Sequence, residues 1–200
     1  MSNTARSLIN VARMHGRRQA QGGASEIHFY HQHQPPYGCF SNFYAAEIVL
    51  DGKKWPTSEH YFQAMKFPTD PAVVEQVRTA ASPSKAAALG RDCRFPLRQD
   101  WNQQFVGDDG RTTNTKLEVM RMALRAKFDQ HPPLRQTLLS TTGRKLVEHT
   151  ANDRYWGDGG DGSGKNMLGK LLMELRETLM KEDKEKKQRE EAMALQQRTS

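Results

Sequence analysis

Cysteine is scarce in this sequence. Only Cys39 and Cys93 occur in 200 residues, too few and too far apart for a disulfide framework or a thiolate zinc site. A reducing, cytoplasmic environment is therefore expected. His28, His31 and His33 lie close together but have no matching cysteine or carboxylate cluster, so we interpret them as surface histidines and predict no metal and no cofactor.

Long apolar runs are also absent. No segment approaches the roughly 18 apolar residues of a membrane-spanning helix, so we predict no membrane partner. The formal charge is +7, and residues 1–24 contain four arginines and no acid, which leaves the rest of the chain mildly basic. A mild excess fits a phosphorylated substrate better than a dedicated nucleic-acid binder. The arginines leave a mitochondrial presequence open beside a plain disordered tail.

The pattern along the chain predicts an α+β class: a mostly helical single domain with a small β-hairpin. We expect a disordered basic tail at 1–25, the folded domain at 26–180 and a charged extension at 181–200. Asp51-Gly52 is typical of a hairpin turn between strands. Apolar spacing and proline breaks predict five helices and a final one from about Asn166; the five are 58–66, 71–80, 84–90, 114–129 and 133–140.

Aromatic residues are concentrated in one stretch, since ten of the sixteen lie between Phe29 and Phe67. They fit either a stacking pocket for a planar base or the core of a small domain. Within this stretch, Glu59 and Lys66 share one helical stripe, with Phe62 and Gln63 between them. Glu59 falls in the first turn, where the helix dipole favours the ionised carboxylate, so we expect a charged partner rather than a general acid there.

A glycine-rich stretch covers 157–164, just before the final helix. Its glycines permit close backbone approach, and the following helix start would favour phosphate, which predicts a phosphate cradle. The glycines of an ordinary surface loop are the alternative. A nucleotide triphosphatase loop is not favoured, because Asn166 stands where serine or threonine would bind magnesium and no buried strand precedes it.

Several separated motifs together resemble the YbiA-like family, also called NADAR, over roughly residues 28–180. They are Ser41-Asn42-Phe43, 59–67, Asp100-Trp101, 119–128, Leu146-Val147-Glu148 and 153–169. The resemblance implies a YbiA-like α+β fold and an N-glycosidase that cuts between ribose C1 and an exocyclic amine. Its implied substrates are phosphoribosylamino-pyrimidine intermediates of riboflavin biosynthesis, releasing ribose 5-phosphate, or ADP-ribosylated guanine in DNA. A longer loop at 107–112 and both terminal extensions depart from the family pattern and leave that choice open.

The catalytic residues we predict are Glu59, Lys66 and Asp153. Lys66, partly desolvated among Tyr61, Phe62 and Phe67, would have a lowered pKa and form a Schiff base at ribose C1. Glu59 would shuttle protons, and Asp153 would activate water or hold a ribose hydroxyl, with their roles open to exchange. Eight further residues are predicted to bind substrate, the last three at its phosphate end: Asn42, Phe43, Trp101, Glu148, Trp156, Gly157, Gly164 and Asn166.

Other readings remain open from the sequence. Glu59 or Asp153 would activate water directly against an oxocarbenium-like centre if Lys66 only binds an anion. A non-catalytic module for NAD or ADP-ribose would use the same pocket, and an interaction protein would use the charged C-terminal segment. Cys39 and His60 form a weaker nucleophile-and-base candidate. The residues indicate no oligomeric state.

Overall fold

The computed structural model describes residues 25–199, and within them the strands form three sheets of two strands each. The strands are β1 (Glu26–Phe29), β2 (Ile48–Leu50), β3 (Lys53–Trp55), β4 (Gln104–Val106), β5 (Thr112–Asn114) and β6 (Lys145–Glu148). β1 pairs with β6 in parallel, while β2–β3 and β4–β5 are antiparallel hairpins. The tail and the presequence alternative predicted for residues 1–24 lie outside the described residues.

Six α-helices supply most of the regular structure, so the predicted α+β, mostly helical class is confirmed. They are α1 (Ser58–Ala64), α2 (Pro71–Arg78), α3 (Pro83–Leu89), α4 (Thr115–Gln130), α5 (Pro132–Leu139) and α6 (Met167–Thr199), with one 3₁₀ turn at Tyr37–Phe40. None of these helices is both long enough and apolar enough to cross a lipid bilayer.

Local side-chain chemistry sets where the helices begin. The residues before α1 to α4 are Thr57, Asp70, Ser82 and Asn114, and each side chain accepts a hydrogen bond from a backbone N–H of the first turn. Such caps satisfy amide groups that have no partner inside the helix. α2, α3 and α5 also carry proline in the first turn, where its missing N–H costs nothing. The predicted helix starts are therefore close to those observed.

The two hairpins differ in how well the sequence predicts them. In the β2–β3 turn, Asp51 and Gly52 have φ angles of 52° and 70°, the left-handed pair that a two-residue turn requires, which confirms the prediction. The segment 107–112, predicted to be a long loop, forms the connection of the β4–β5 hairpin at 107–111 and enters β5 at Thr112. Its strands are short and largely exposed, so they lack the apolar alternation that would have identified them.

The core surrounds α4 and the start of α6. α4 buries Met120, Ala123, Leu124 and Phe128, and α6 buries leucines spaced three and four residues apart as predicted. α6 continues through the charged segment as a solvated helix. Its contacts with the domain extend to Glu182 and Asp183, which pair with Arg125 and Arg135.

The parallel β1–β6 pair positions part of the site. Because parallel strands end at the same edge of a sheet, the segments that follow β1 and β6 lie next to each other. Tyr30, His31 and Gln32 follow β1, while Glu148 and Thr150 end and follow β6, and all five line one cavity.

Candidate active site

A cavity of about 590 Å³, here called the main cavity, lies between α1, the start of α4 and the segments after β1 and β6. Its volume suits a small organic ligand. It is lined by eight of the eleven residues that the sequence singled out: Asn42, Phe43, Glu59, Lys66, Trp101, Glu148, Asp153 and Trp156.

One face of α1 forms the floor of the main cavity. Glu59, Phe62 and Gln63 lie on it at helical spacing, and Lys66 follows in the turn after the helix ends at Ala64. The Glu59 N–H donates to Asn42 O at 3.1 Å, which holds the Asn42 segment beside the helix start. The local stripe predicted from the sequence therefore presents both charged groups to one cavity.

Burial opposes the ionised state that the sequence predicts for Glu59. Glu59 is buried, and this burial raises the pKa of its carboxyl even though Gln63 donates to Oε1 at 2.7 Å and Lys66 and Arg91 favour the charged form. Loss of hydration outweighs the helix-start position, because a dipole at a helix end is a weaker influence than full desolvation. Glu59 is thus suited to carry a proton.

Lys66 is half-buried, and its burial lowers the pKa of the ammonium group, the direction expected. Glu59 opposes this shift, whereas the positive charges of Arg91 and Lys116 add to it. Its Nζ donates to Gly90 O at 2.8 Å and lies 5.8 Å from the centre of the Phe62 ring.

The apolar surroundings expected for Lys66 were only partly right. The Tyr61 hydroxyl donates to Asp51, and its ring packs edge-on against Trp55. Phe67 packs against Phe95 instead. Of the three predicted aromatic neighbours, Phe62 alone lines the main cavity beside Lys66.

Two more carboxyl groups face Glu59 from the segment that ends β6. Asp153 Oδ1 accepts from the backbone N–H groups of Tyr155 and Trp156, both at 2.7 Å, and this fixes the turn that carries Trp156. Burial, together with the negative charges of Asp153, Glu59 and Asp158, raises the pKa of Glu148 to about 8. Glu148 therefore holds its proton at neutral pH.

Unpaired polar atoms concentrate in the main cavity. Among the described residues, four buried side-chain oxygen atoms lack a hydrogen-bond partner, and Asn42 Oδ1, Gln63 Oε1 and Glu148 Oε2 belong to residues that line it. Buried polar atoms are normally paired, because leaving one without a partner costs about 1–3 kcal/mol. Because all three belong to residues that line one cavity, the polar groups that are least satisfied within the described residues cluster around it.

Aromatic rings form one wall of the main cavity. Phe62 lies 5.3 Å from both Trp101 and Trp156, measured between ring centres, and its plane is perpendicular to that of Trp156. Phe43 lines the cavity from the segment before α1. The rings leave a slot for a planar group, so part of the aromatic stretch serves the site and the rest, such as Trp55, fills the core.

The predicted phosphate end lies elsewhere, because Gly157, Gly164 and Asn166 do not line the main cavity. A Cβ on Gly157 or Gly164 would come within 2.6 Å or 2.4 Å of neighbouring atoms, so close internal packing accounts for both glycines. The Asn166 side chain joins Glu148 N to Leu146 O and anchors β6. Gly164 and Asn166 border a separate pocket of about 450 Å³ on the other side of the loop.

Three cations at or beside the site were not predicted. Arg91 and Lys116 line the main cavity. Lys127 is fully buried, and its Nζ donates to Ser41 O at 2.9 Å, next to Asn42; burial lowers its pKa to about 7. Two features of the sequence mark Lys127: it belongs to the family motif at 119–128, and it lies within the apolar face of α4.

Cys39 and His60 do not act together. The Cys39 thiol contacts Pro36 O, whereas the His60 ring bonds Thr57 Oγ1 and Ala80 O. Neither residue lines the main cavity. Within residues 25–199, no three His, Cys, Asp or Glu side chains are arranged to hold a metal ion.

Comparison with known proteins gives consistent matches. The NADAR domain model matches residues 28–180. N-glycosidase YbiA of Escherichia coli is 57% identical over 143 residues, which cover 72% of this chain and 82% of that protein. A riboflavin biosynthesis protein of Vibrio vulnificus is 40% identical over 153 residues, covering 76% of this chain and 38% of the larger relative. The NMR structure of E. coli YbiA matches with a TM-score of 0.70 and 53% identity, over 84% of this chain and 92% of that one.

Proposed function

The chain belongs to the NADAR domain family, and from this premise we propose that it hydrolyses the bond between ribose C1 and the exocyclic amine of a phosphoribosylamino-pyrimidine. Its relatives are named N-glycosidases, and it is a hydrolase of N-glycosyl bonds like them. Relatives named for riboflavin biosynthesis support the choice of substrate. The observation that carries the proposal is that Glu59, Lys66 and Asp153 line one cavity whose wall is formed by aromatic rings.

The chemistry starts from a property of glycosylamines. The exocyclic nitrogen can push the ribose ring open, so that C1 becomes an imine and the ring oxygen takes a proton. Glu59, whose burial raises the pKa of its carboxyl group, supplies that proton. Lys66, whose burial lowers the pKa of its ammonium group, adds the lone pair of its neutral form to C1, and Nζ then returns a proton to Glu59.

Release of the base and of the sugar then follows in two steps. The pyrimidine amine leaves with a proton from Glu148 as an iminium forms between Lys66 Nζ and C1. Water adds to this iminium and loses a proton to Asp153, which returns it to Glu148. The hydroxyl proton of the resulting carbinolamine moves to Nζ as the C1–Nζ bond breaks, so the sugar departs as the aldehyde of ribose 5-phosphate and Lys66 is restored. Asn42 binds a polar edge of the base, while Phe43, Trp101 and Trp156 enclose its faces.

Trapping tests the covalent step. The protein is incubated with the phosphoribosylamino-pyrimidine, reduced with borohydride and digested for mass spectrometry. We expect a reduced ribose 5-phosphate adduct on Lys66 and none on Lys181, an exposed lysine of α6. If the wild type turns over without forming an adduct and Lys66→Ala remains active, direct displacement by water activated by Glu59 or Asp153 is favoured.

The substrate is tested by a side-by-side assay. ADP-ribosylated guanine contains the same kind of bond and is the alternative that the family resemblance implies. Purified protein is given the phosphoribosylamino-pyrimidine and, separately, DNA carrying ADP-ribosylated guanine, and release of ribose 5-phosphate or ADP-ribose is measured. We expect faster release from the pyrimidine. Faster release of ADP-ribose would replace the proposed substrate, and no release from either would contradict the proposal.

A further inference from the structure

We propose that Arg91 and Lys116 form the phosphate subsite of the main cavity and bind the 5-phosphoryl group of the ribose. This inference rests on the proposed function, because it names how that substrate is held. The glycine-rich loop, where the sequence suggested a phosphate cradle, does not reach this cavity.

The position of the two cations supports the subsite. Arg91 follows the end of α3 and Lys116 lies in the first turn of α4, and both line the main cavity with Lys66. Both are close enough to Lys66 for their positive charges to lower its pKa. Among the carboxyl groups that line the same cavity, the charges of Glu59 and Asp153 act on Lys66 and Lys116. Neither carboxylate forms a hydrogen bond or an ion pair with Arg91 or Lys116 within the described residues, so these two cations retain donors for an anion such as a phosphate monoester.

Neither cation is held by the protein through a carboxylate. Within residues 25–199, the Arg91 and Lys116 side chains form no hydrogen bond and no ion pair. Four other arginines of the domain, by contrast, form ion pairs with carboxylates: Arg98, Arg121, Arg125 and Arg135. The Lys116 ammonium lies 3.7 Å from the centre of the Tyr155 ring, which fixes its direction without neutralising its charge. Both groups thus keep their donors available for a ligand.

The arrangement also orients the sugar. Lys66 is the cation that the proposed reaction uses as its nucleophile, and Arg91 and Lys116 are the two cations of the cavity that remain for binding. With the phosphate held by these two residues, ribose C1 is directed toward Lys66 and the base toward the aromatic wall. The guanidinium of Arg91 offers two parallel donors to a phosphate, while Lys116 acts as a point charge.

Paired substrates test the subsite. The kcat and KM of the wild type, Arg91→Ala, Lys116→Ala and the double variant are measured on the phosphoribosylamino-pyrimidine and on its dephosphorylated riboside. We expect each single change to raise KM for the phosphorylated compound by about 10- to 100-fold, the range of a charge-assisted hydrogen bond. Loss of either cation should change the KM for the riboside far less than the KM for the phosphorylated compound, and any change in kcat that both substrates share reports the positive charge lost beside Lys66. Arg94→Ala is the matched control, since Arg94 is an exposed arginine of the same segment paired with Asp92 outside the cavity.

A binding arm separates this inference from the proposed function. Calorimetry with ribose 5-phosphate and with ADP-ribose needs no turnover, and we expect both variants to bind ribose 5-phosphate at least about 10-fold more weakly than the wild type. A loss confined to ADP-ribose would move the pair to a diphosphate and overturn the monoester assignment. Equal affinity in all proteins, or equal loss of activity on both paired substrates, would overturn the subsite. If the variants bind ribose 5-phosphate more weakly than the wild type, as expected, but no protein cleaves any substrate, only the proposed function is contradicted.

Discussion

The main cavity and the glycine-rich loop at 157–164 both gather acidic residues, but they satisfy them differently. In the loop, Asp158 accepts from the N–H groups of Thr150 and Gly160 and pairs with His149. Asp161 likewise accepts from the Ser163 N–H. In the cavity, oxygen atoms of Asn42, Gln63 and Glu148 stay unpaired. Polar groups that are hydrogen-bonded within a loop stabilise its backbone, whereas unpaired groups beside a cavity add no such bonds. The two regions should therefore respond differently to mutation.

The largest expected effect lies in the cavity, at Lys66. Lys66→Met keeps the length of the side chain and removes the nucleophile, so we expect kcat to fall by at least about 1000-fold. The melting temperature should stay the same or rise, because a half-buried charge is replaced by an apolar group. Lys181→Met provides the matched control. If Lys66→Met retains turnover, Lys66 is not the nucleophile, and the main cavity does not differ from the loop in the predicted way.

The next effect concerns Glu148 and is set by pH. With a pKa of about 8, its proton is present at neutral pH and lost as the pH rises through 8. The alkaline limb of the pH–rate profile should therefore show kcat falling around pH 8. Glu148→Gln should lower kcat by about 100-fold and abolish this limb. A pH–rate profile that keeps the same limb in Glu148→Gln would assign it to another group.

The same residue predicts a stability change of the opposite sign. A carboxyl whose pKa is raised in the folded protein contributes stability that is fully present below its unfolded pKa of 4.5 and is lost as the pH rises from there through its folded pKa of about 8. Glu148→Gln has no charge to bury, so at pH 9 its free energy of unfolding should exceed that of the wild type. Urea unfolding at pH 5 and pH 9 measures the difference, which should shrink at the lower pH.

The smallest effect on activity is expected in the loop, where stability should change instead. A Cβ on Gly164 would lie 2.4 Å from a backbone carbon of Asp158, so Gly164→Ala should cost about 2 kcal/mol or more of unfolding free energy. Gly162, with φ of 81° and open space around its Cβ position, is the matched control, and Gly162→Ala should cost only about 1 kcal/mol. In both variants, KM for the phosphorylated substrate should be unchanged; a rise confined to Gly164→Ala would restore the phosphate-cradle interpretation.

Much of the fold could be predicted because its signals are local. The Asp51-Gly52 turn and the capping residues before the helices act on their immediate neighbours in the chain, so spacing alone indicated them. The β1–β6 pairing joins segments about 120 residues apart, and β4–β5 has little apolar alternation. No local pattern in the sequence therefore predicted the pairing of β1 with β6 or the β4–β5 hairpin.

The features of the candidate site also separate into those set by local spacing in the sequence and those set by tertiary structure. The sequence by itself determined the family motifs and the helical stripe of Glu59 and Phe62 that Lys66 continues in the turn after α1, because helical periodicity depends only on the spacing of residues. Tertiary structure alone decided that Glu148 keeps its proton, that the glycines pack inside their own loop, and that Arg91 and Lys116 meet at one cavity. Burial and charge interactions act through space, between residues whose separation along the chain says nothing of their distance.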